Sequence, residues 1–122
     1  MSPRGRSDAR PRARFRKEER LLLRPEYRRA TAHGNRRTSA HFVVYLASNN
    51  IGRPRLGITA SRKVGKAVVR NRVKRLIREY FRVSKHCLPP SRDVVVIARK
   101  ADAEMRLQEV MRELDRVIGV RR

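Results

Sequence analysis

The sequence predicts an α+β fold, a small sandwich in which helices pack on one sheet of three or four strands. Two runs rich in β-branched and aromatic residues, Ala40–Ala47 and Asp93–Arg99, are typical of strands. Two others, Ala67–Val83 and the segment ending at Ile118, repeat apolar residues at three- and four-residue steps and indicate helices. The predicted order is helix, strands, helix, strand, helix, which at 122 residues makes one domain.

The chain begins with a basic segment that has almost nothing to bury. Residues 1–14 are dominated by Arg, Pro and Gly, so we expect a disordered tail before a single domain over residues 15–122. Leucines at Leu21–Leu23 are the first residues with side chains to pack. A short helix is predicted over Pro25–Ala32, because Pro suits a first helical turn and Gly34 suits a termination.

The strands differ in how deeply the sequence predicts them to be buried. Ala40–Ala47 reads as a strand covered on both faces, and Arg55–Ser61 follows it after a turn, so we expect the two to form an antiparallel hairpin. Asp93–Arg99 holds five consecutive apolar residues, as a central strand does. Asp102 is a candidate N-cap for a last helix that runs to Ile118 and ends at Gly119.

The helix predicted over Ala67–Val83 is apolar on one face and cationic on the other. Its apolar face comprises Val69, Val73, Leu76, Ile77, Tyr80 and Val83. Its opposite face comprises Asn71, Lys74, Arg75, Arg78 and Arg82. The preceding loop, Arg62–Lys66, is also basic, and Gly65 allows a close backbone approach there. Such a helix docks on a core and presents its charge to a polyanion.

The overall charge requires an anionic partner. The chain carries 33 Lys and Arg against 11 Asp and Glu, a net charge of +22, and that whole surplus lies in residues 1–100. Nucleic acid is the first candidate and an anionic membrane surface the second. No apolar run approaches the roughly 20 residues of a membrane span, so we expect no membrane insertion. A single cysteine, Cys87, excludes an intrachain disulfide and fits the cytoplasm.

The sequence offers no set of residues for protein-based catalysis. Its three histidines are scattered, no carboxylates are paired, and no phosphate-binding glycine loop is present, so we predict neither a metal site nor a catalytic residue. An RNA- or DNA-binding face is the better interpretation of the cationic helix. Tyr27 and Tyr45 either stack on unpaired bases or fill the core.

One segment resembles a known family. Arg70-Asn71-Arg72-Val73-Lys74-Arg75, preceded by Ser61–Ala67, is similar to the RNR motif of the bacterial ribonuclease P protein subunit. The likeness continues through Phe42–Tyr45, Leu56–Ile58 and Val95–Lys100, and it covers roughly residues 15–118 in the family's order.

The resemblance implies a fold like the second domain of ribosomal protein S5, with a left-handed βαβ crossover around the RNR helix. It implies a cytoplasmic subunit that joins a catalytic RNA and helps remove the 5′ leader of precursor tRNA. The chemistry would belong to that RNA and its Mg²⁺ ions, with no cofactor on the protein alone and no obligate protein partner.

The resemblance also implies two groups of binding residues. The RNA subunit would be contacted by Arg62, Lys63, Lys66, Arg70, Asn71, Arg72, Lys74 and Arg75. The precursor tRNA leader would be contacted by Tyr27, Tyr45, Arg99 and Lys100. Thr31 stands where the family usually has a second aromatic, which thins the stacking surface.

Two alternatives to this hypothesis remain open. A ribosomal or other structural RNA-binding protein would associate with ribosomal RNA and leave leader cleavage unchanged. A DNA-compacting protein would prefer duplex DNA to structured RNA.

Overall fold

A computed structural model describes residues 24–101 and 104–121, and it has the predicted α+β architecture. The helices are α1 (Arg24–His33), α2 (Ala67–Ser84) and α3 (Leu107–Ile118). The strands are β1 (Asn35–Thr38), β2 (Phe42–Ser48), β3 (Arg55–Ala60) and β4 (Arg92–Ala98). The predictions for the tail over residues 1–14 and for the leucines at Leu21–Leu23 lie outside the described residues.

The strands of the described chain form one mixed sheet in the order β1-β2-β4-β3. The predicted hairpin between β2 and β3 is therefore wrong, because β4 lies between them, antiparallel to β2 and parallel to β3. Val94, Val95 and Val96 are at most 1% exposed. Helices cover both faces of β4, and its central position gives it a hydrogen-bonded strand on each side. The parallel β3–α2–β4 unit is present, and its left-handed crossover stays a prediction.

The two faces of the sheet are covered by different helices. On one face, Phe42, Val44, Val94 and Val96 join the main core together with residues of α2 and α3. On the other face, Ala30 of α1 packs with Ala47 and Val95. The predicted burial of β2 and β4 on both sides is confirmed. The result is a sheet with one thick and one thin apolar layer.

Residue Asp93 is an acid buried in the thin layer. It is 1% exposed and accepts two hydrogen bonds from Arg55, from Nε at 2.9 Å and Nη2 at 3.0 Å, and one from Asn49 at 2.8 Å. Arg55 Nη1 also binds Glu26 of α1 at 2.8 Å. The hydrogen bond to Asp93 raises the pKa of Arg55 above its ordinary value. This network joins α1, β3 and β4.

Helix α3 begins at Leu107, so the predicted start at Asp102 is wrong, and Asp102 itself lies outside the described residues. Met105 lies before the helix. Its side chain is buried, and its carbonyl oxygen accepts two hydrogen bonds from Arg72, from Nε at 3.1 Å and Nη2 at 2.6 Å. The helix starts after Arg106, whose amide donates to the Glu109 carboxylate at 2.8 Å in a capping box. Gly119 ends the helix in the left-handed region at φ 87°, as predicted.

Helix α3 is tied to the β1–β2 turn by Glu113. One carboxylate oxygen accepts hydrogen bonds from the Ser39 hydroxyl and the His41 amide, each at 2.5 Å, and the other lies 2.9 Å from His41 Nδ1. Burial alone would raise the pKa of Glu113. The hydrogen bonds from Ser39 and His41 outweigh it, so the pKa lies below the ordinary 4.5.

We expect this carboxylate to make folding stability depend on pH in acid. Because the folded pKa of Glu113 lies below its unfolded value, the stabilisation is complete above about pH 4.5 and is lost as the pH falls through the folded pKa. Urea unfolding of the wild type and of Glu113→Gln between pH 7 and pH 3 measures this. The difference between the two proteins should shrink in acid, and a constant difference would contradict the assignment.

Gly34 lies where the chain leaves α1 for β1. A β-carbon at this position would lie 2.5 Å from the Ala30 carbonyl oxygen and 2.8 Å from that of Leu46, and neither backbone atom can move aside freely. We therefore expect Gly34→Ala to cost about 1–3 kcal/mol of unfolding free energy. Chemical denaturation measures the loss. An unchanged stability would show that α1 can lift away from β2 without penalty.

Candidate nucleic-acid interface

The basic loop and the outward face of α2 form one cationic area, which we call the α2 surface. It contains Arg62, Lys63, Lys66, Arg70, Asn71, Arg72, Lys74 and Arg75. Arg62, Lys63, Lys66, Asn71 and Arg75 are exposed, and the other three are half-buried. The one acid of α2, Glu79, pairs with Arg82, whose hydrogen bond lowers the pKa of Glu79. The cations nearer the start of α2 are left for an external anion.

The start of α2 adds to this positive potential. Lys66 occupies the N-cap position, and its side chain makes no capping hydrogen bond. The first amide of the turn to be satisfied is that of Arg70, which donates to the Lys66 carbonyl at 2.9 Å. The first-turn N–H groups before it therefore point outward without an intrahelical acceptor, as at any helix start. They carry a partial positive charge beside Lys63 and Lys66.

Two arginines of the predicted RNA-binding group have environments that differ from the rest. Arg72 turns toward α3 and holds the Met105 carbonyl, so part of its role is structural. Arg70 has a buried Nε that finds no acceptor among the described residues. Asn71, between them, is exposed.

The two predicted leader-binding tyrosines lie together on the α1 side of the sheet. Tyr27 and Tyr45 pack, half-buried, against the cluster of Ala30, Ala47 and Val95. The hydroxyl of Tyr27 also forms a short hydrogen bond with Thr59 of β3. Each ring thus fills the thin apolar layer and keeps part of its surface exposed, so the two interpretations of the sequence are compatible.

Arg99 and Lys100 lie where β4 leaves the sheet. Both are exposed, and Arg99 is oriented by a hydrogen bond from its Nη1 to the Ser39 carbonyl at 2.7 Å. Ala98 pairs with Ala60 in the parallel register, so β3 and β4 finish at the same end of the sheet. The basic loop also begins at this end. Tyr27, which bonds to Thr59 near the end of β3, therefore lies close to the start of the basic loop.

Thr31 lies one helical turn after Tyr27, and its hydroxyl is turned back onto the helix. It donates to the carbonyls of Tyr27 and Arg28 at 3.2 Å and 3.1 Å. This arrangement presents no flat apolar surface for a base. The thinning of the stacking surface stays a prediction.

Two exposed arginines belong to these surfaces and were missing from the predicted groups. Arg36 of β1 pairs in register with Tyr45 of β2, so both side chains lie on the α1 face. Arg78 extends the α2 surface by one more turn. The signal for Arg78 was its helical spacing from Lys74 and Arg75. For Arg36 the signal is weak, since a four-residue strand shows little alternation.

Metal-ligand groups and membrane-spanning helices were also sought in the described part of the chain. Residues 24–101 and 104–121 contain no group of three or more His, Cys, Asp or Glu placed to hold a metal ion. No helix within these ranges has the length and apolar character to cross a membrane.

Comparison with known proteins finds relatives that are similar in sequence over most of the chain. A family model described as Ribonuclease P matches residues 15–120. The ribonuclease P protein component of Syntrophus aciditrophicus is 42% identical over 100 residues, which span 82% of this chain and 84% of the relative. That of Vibrio vulnificus strain YJ016 is 38% identical over 104 residues, covering 84% and 87%.

Solved structures give the same result. The Staphylococcus aureus RNase P protein aligns with a TM-score of 0.73 at 35% identity, covering 83% of this chain and 93% of that one. The Thermotoga maritima RNase P protein aligns with a TM-score of 0.70 at 31% identity, covering 85% and 99%.

Proposed function

The chain belongs to the ribonuclease P protein family and is a protein subunit of that ribonuclease, and we propose how its two surfaces divide the work. The α2 surface would bind the catalytic RNA subunit. The cleft between α1 and the sheet would bind the 5′ leader of precursor tRNA. The single observation that carries this proposal is the cationic α2 surface close to two half-buried tyrosines on the α1 side of the sheet.

The α2 surface suits folded RNA because RNA offers phosphates and 2′-hydroxyls rather than an open major groove. Lys63, Lys66 and the free amides at the start of α2 would bind phosphates as a group. Arg70, half-buried in the first turn of α2, would add its charge to this surface. Arg72 would fix the position of α2 against the segment before α3, which keeps the surface in one shape.

The cleft suits a single strand. Exposed faces of Tyr27 and Tyr45 would stack with unpaired bases, and Arg36, Arg99 and Lys100 would contact the backbone phosphates. With Thr31 in place of an aromatic, charge would contribute more to leader affinity than stacking does. These roles imply a cytoplasmic location, where precursor tRNA is processed.

We assign the cleavage chemistry to the RNA subunit and the Mg²⁺ ions bound with it. The protein would bind and orient the two RNAs without contributing a reacting group. We expect no cofactor on the protein alone and no obligate protein partner.

Reconstitution with the cognate RNA tests the proposal. At low Mg²⁺, adding the protein should lower the Mg²⁺ concentration needed for leader removal and should tighten precursor tRNA binding. If neither changes, the proposed division of work fails. Association with ribosomal RNA without an effect on cleavage would favour the structural RNA-binding alternative.

The tyrosines make a separate prediction about leader binding. We expect Tyr45→Ala to weaken binding of precursor tRNA by about 1–3 kcal/mol for each base that loses its stack. Mature tRNA, which has no leader, should bind the wild type and the variant equally. Tyr27→Phe serves as a control for stacking. It removes the hydroxyl bonded to Thr59 and keeps the ring, so stacking on that ring should be retained. Equal weakening for both tRNAs would exclude leader stacking.

A further inference from the structure

A basic cavity lies between α1 and one end of the sheet. It has a volume of about 350 Å³ and is bounded by Arg29 and His33 of α1, Asn35 of β1, the end of β2 at Ser48, and Arg92 of β4. We call it the basal notch. Ser48 pairs with Arg92 at one end of the β2–β4 ladder, and Phe42 pairs with Ala98 at the other. The notch is thus at the opposite end from the basic loop, Arg99 and Lys100.

The notch is lined by basic side chains and by no acidic one. Arg29 and His33 are four residues apart and share one face of α1. No Asp or Glu lines the notch, and within the described residues neither Arg29 nor Arg92 belongs to an ion pair. The nearest acids in sequence are Glu26, three residues before Arg29, and Asp93, next to Arg92, and both pair with Arg55. These three groups together leave one formal negative charge against the two guanidinium groups of the notch.

A comparable cavity beside α3 shows that this is not a general property of such a basic chain. That cavity, about 340 Å³, is lined by Arg112 and Arg116 but also by Glu109 and Glu113. Its formal charges balance. The C-terminal end of α1 brings roughly half a negative charge toward the basal notch, which two guanidinium groups exceed.

The chemistry of the lining defines the ligand. Guanidinium groups present planar forks of N–H donors that match phosphate oxygens. The amide of Asn35 and the hydroxyl of Ser48 are neutral donors for further oxygens. The volume is at the lower end of the range for small-ligand sites, which begins at about 300 Å³. We propose that the basal notch binds a phosphate-type oxyanion, either a phosphodiester of an RNA strand or free phosphate.

Amide spectra of the ¹⁵N-labelled full chain test this proposal. Sodium phosphate is titrated at constant ionic strength, and the oligonucleotide hexauridylate is titrated in a parallel arm. We expect saturable shifts at the amides of Asn35, Ser48 and Arg92 in at least one arm. The arm that saturates at the lower concentration identifies the source of the phosphate. Arg29→Gln combined with Arg92→Gln should weaken this binding about tenfold or more.

Matched variants separate the notch from the α2 surface. Arg112→Gln combined with Arg116→Gln removes the same charge from the balanced cavity and should leave the notch shifts unchanged. Neutralising Arg62, Lys66 and Arg75 should also leave them, so this result does not depend on the proposed RNA-subunit contact. The exposed single variant Arg29→Gln serves if the double variant does not fold. Shifts that chloride reproduces, or that persist in the Arg29 and Arg92 variants, would overturn the proposal.

Discussion

Binding of the protein to its catalytic RNA is expected to weaken by about a thousandfold between 50 and 200 mM salt. This figure follows if six cations of the α2 surface each neutralise a phosphate, since each contact releases condensed counterions and contributes about 0.9 to the slope of log affinity against log salt. Replacing Arg62, Lys66 and Arg75 by Gln should lower that slope by about three. At 0.1 M salt the affinity should fall about hundredfold or more. Filter binding across a salt series measures both quantities.

The control for this prediction is a variant with the same charge loss elsewhere. Arg112, Arg116 and Arg121 are exposed on or just after α3, and none of them belongs to the α2 surface. Their triple replacement by Gln should leave the slope near that of the wild type. An equal loss of RNA affinity in both triple variants would mean that binding depends on net charge alone and not on the α2 surface. A salt-independent complex would exclude the phosphate mechanism altogether.

Loss of Arg55 is expected to give the largest effect on stability. Its removal leaves Asp93 buried at 1% exposure with Asn49 as its one remaining side-chain partner among those described. A buried charge deprived of its partner costs about 3–5 kcal/mol. Arg55→Met should lower the free energy of unfolding by about this amount. Arg53→Met, an exposed change two residues earlier, should stay within about 0.5 kcal/mol.

The double variant distinguishes a stranded charge from lost packing. Combining Arg55→Met with Asp93→Val removes both charges and places a strand-forming residue in β4. Because apolar replacements of a whole buried pair are often near neutral, the double variant should be more stable than Arg55→Met alone. If the two losses simply add, the cost belongs to packing and to the α1 contact through Glu26. Urea unfolding of the four proteins completes the cycle.

The sequence predicted the elements well and their arrangement less well. Helical spacing located α2 from Ala67 to within one residue of its end at Ser84, and the five apolar residues of β4 predicted its central position. Both signals are local and strong. The pairing of β2 with β4 depends on contacts more than forty residues apart, which a short turn between β2 and β3 does not reveal. The short turn predicted a β2–β3 hairpin, but β4 lies between these two strands and pairs with both.

Charge and helical spacing were enough to predict which positions of the site are exposed. They were not enough to predict the direction in which individual side chains point. The exposed positions Arg62, Lys63, Lys66, Asn71 and Arg75 follow from helical geometry. The inward turn of Arg72 toward Met105 does not, since it depends on a carbonyl 33 residues later. The late start of α3 was not predicted either, because Asp102 resembles an N-cap in sequence while the helix starts after Arg106.

The central position of β4 also affects when the sheet can be completed during synthesis of the chain. β3 pairs with no strand but β4 in the described sheet, and β4 is the last strand to leave the ribosome. Until β4 is available, β3 lacks the only strand of the described sheet that pairs with it. The long-range β2–β4 and β3–β4 pairings are therefore the last contacts of the sheet that can form. The basic loop and α2 precede β4 in the sequence, so they are synthesised before the sheet can be completed.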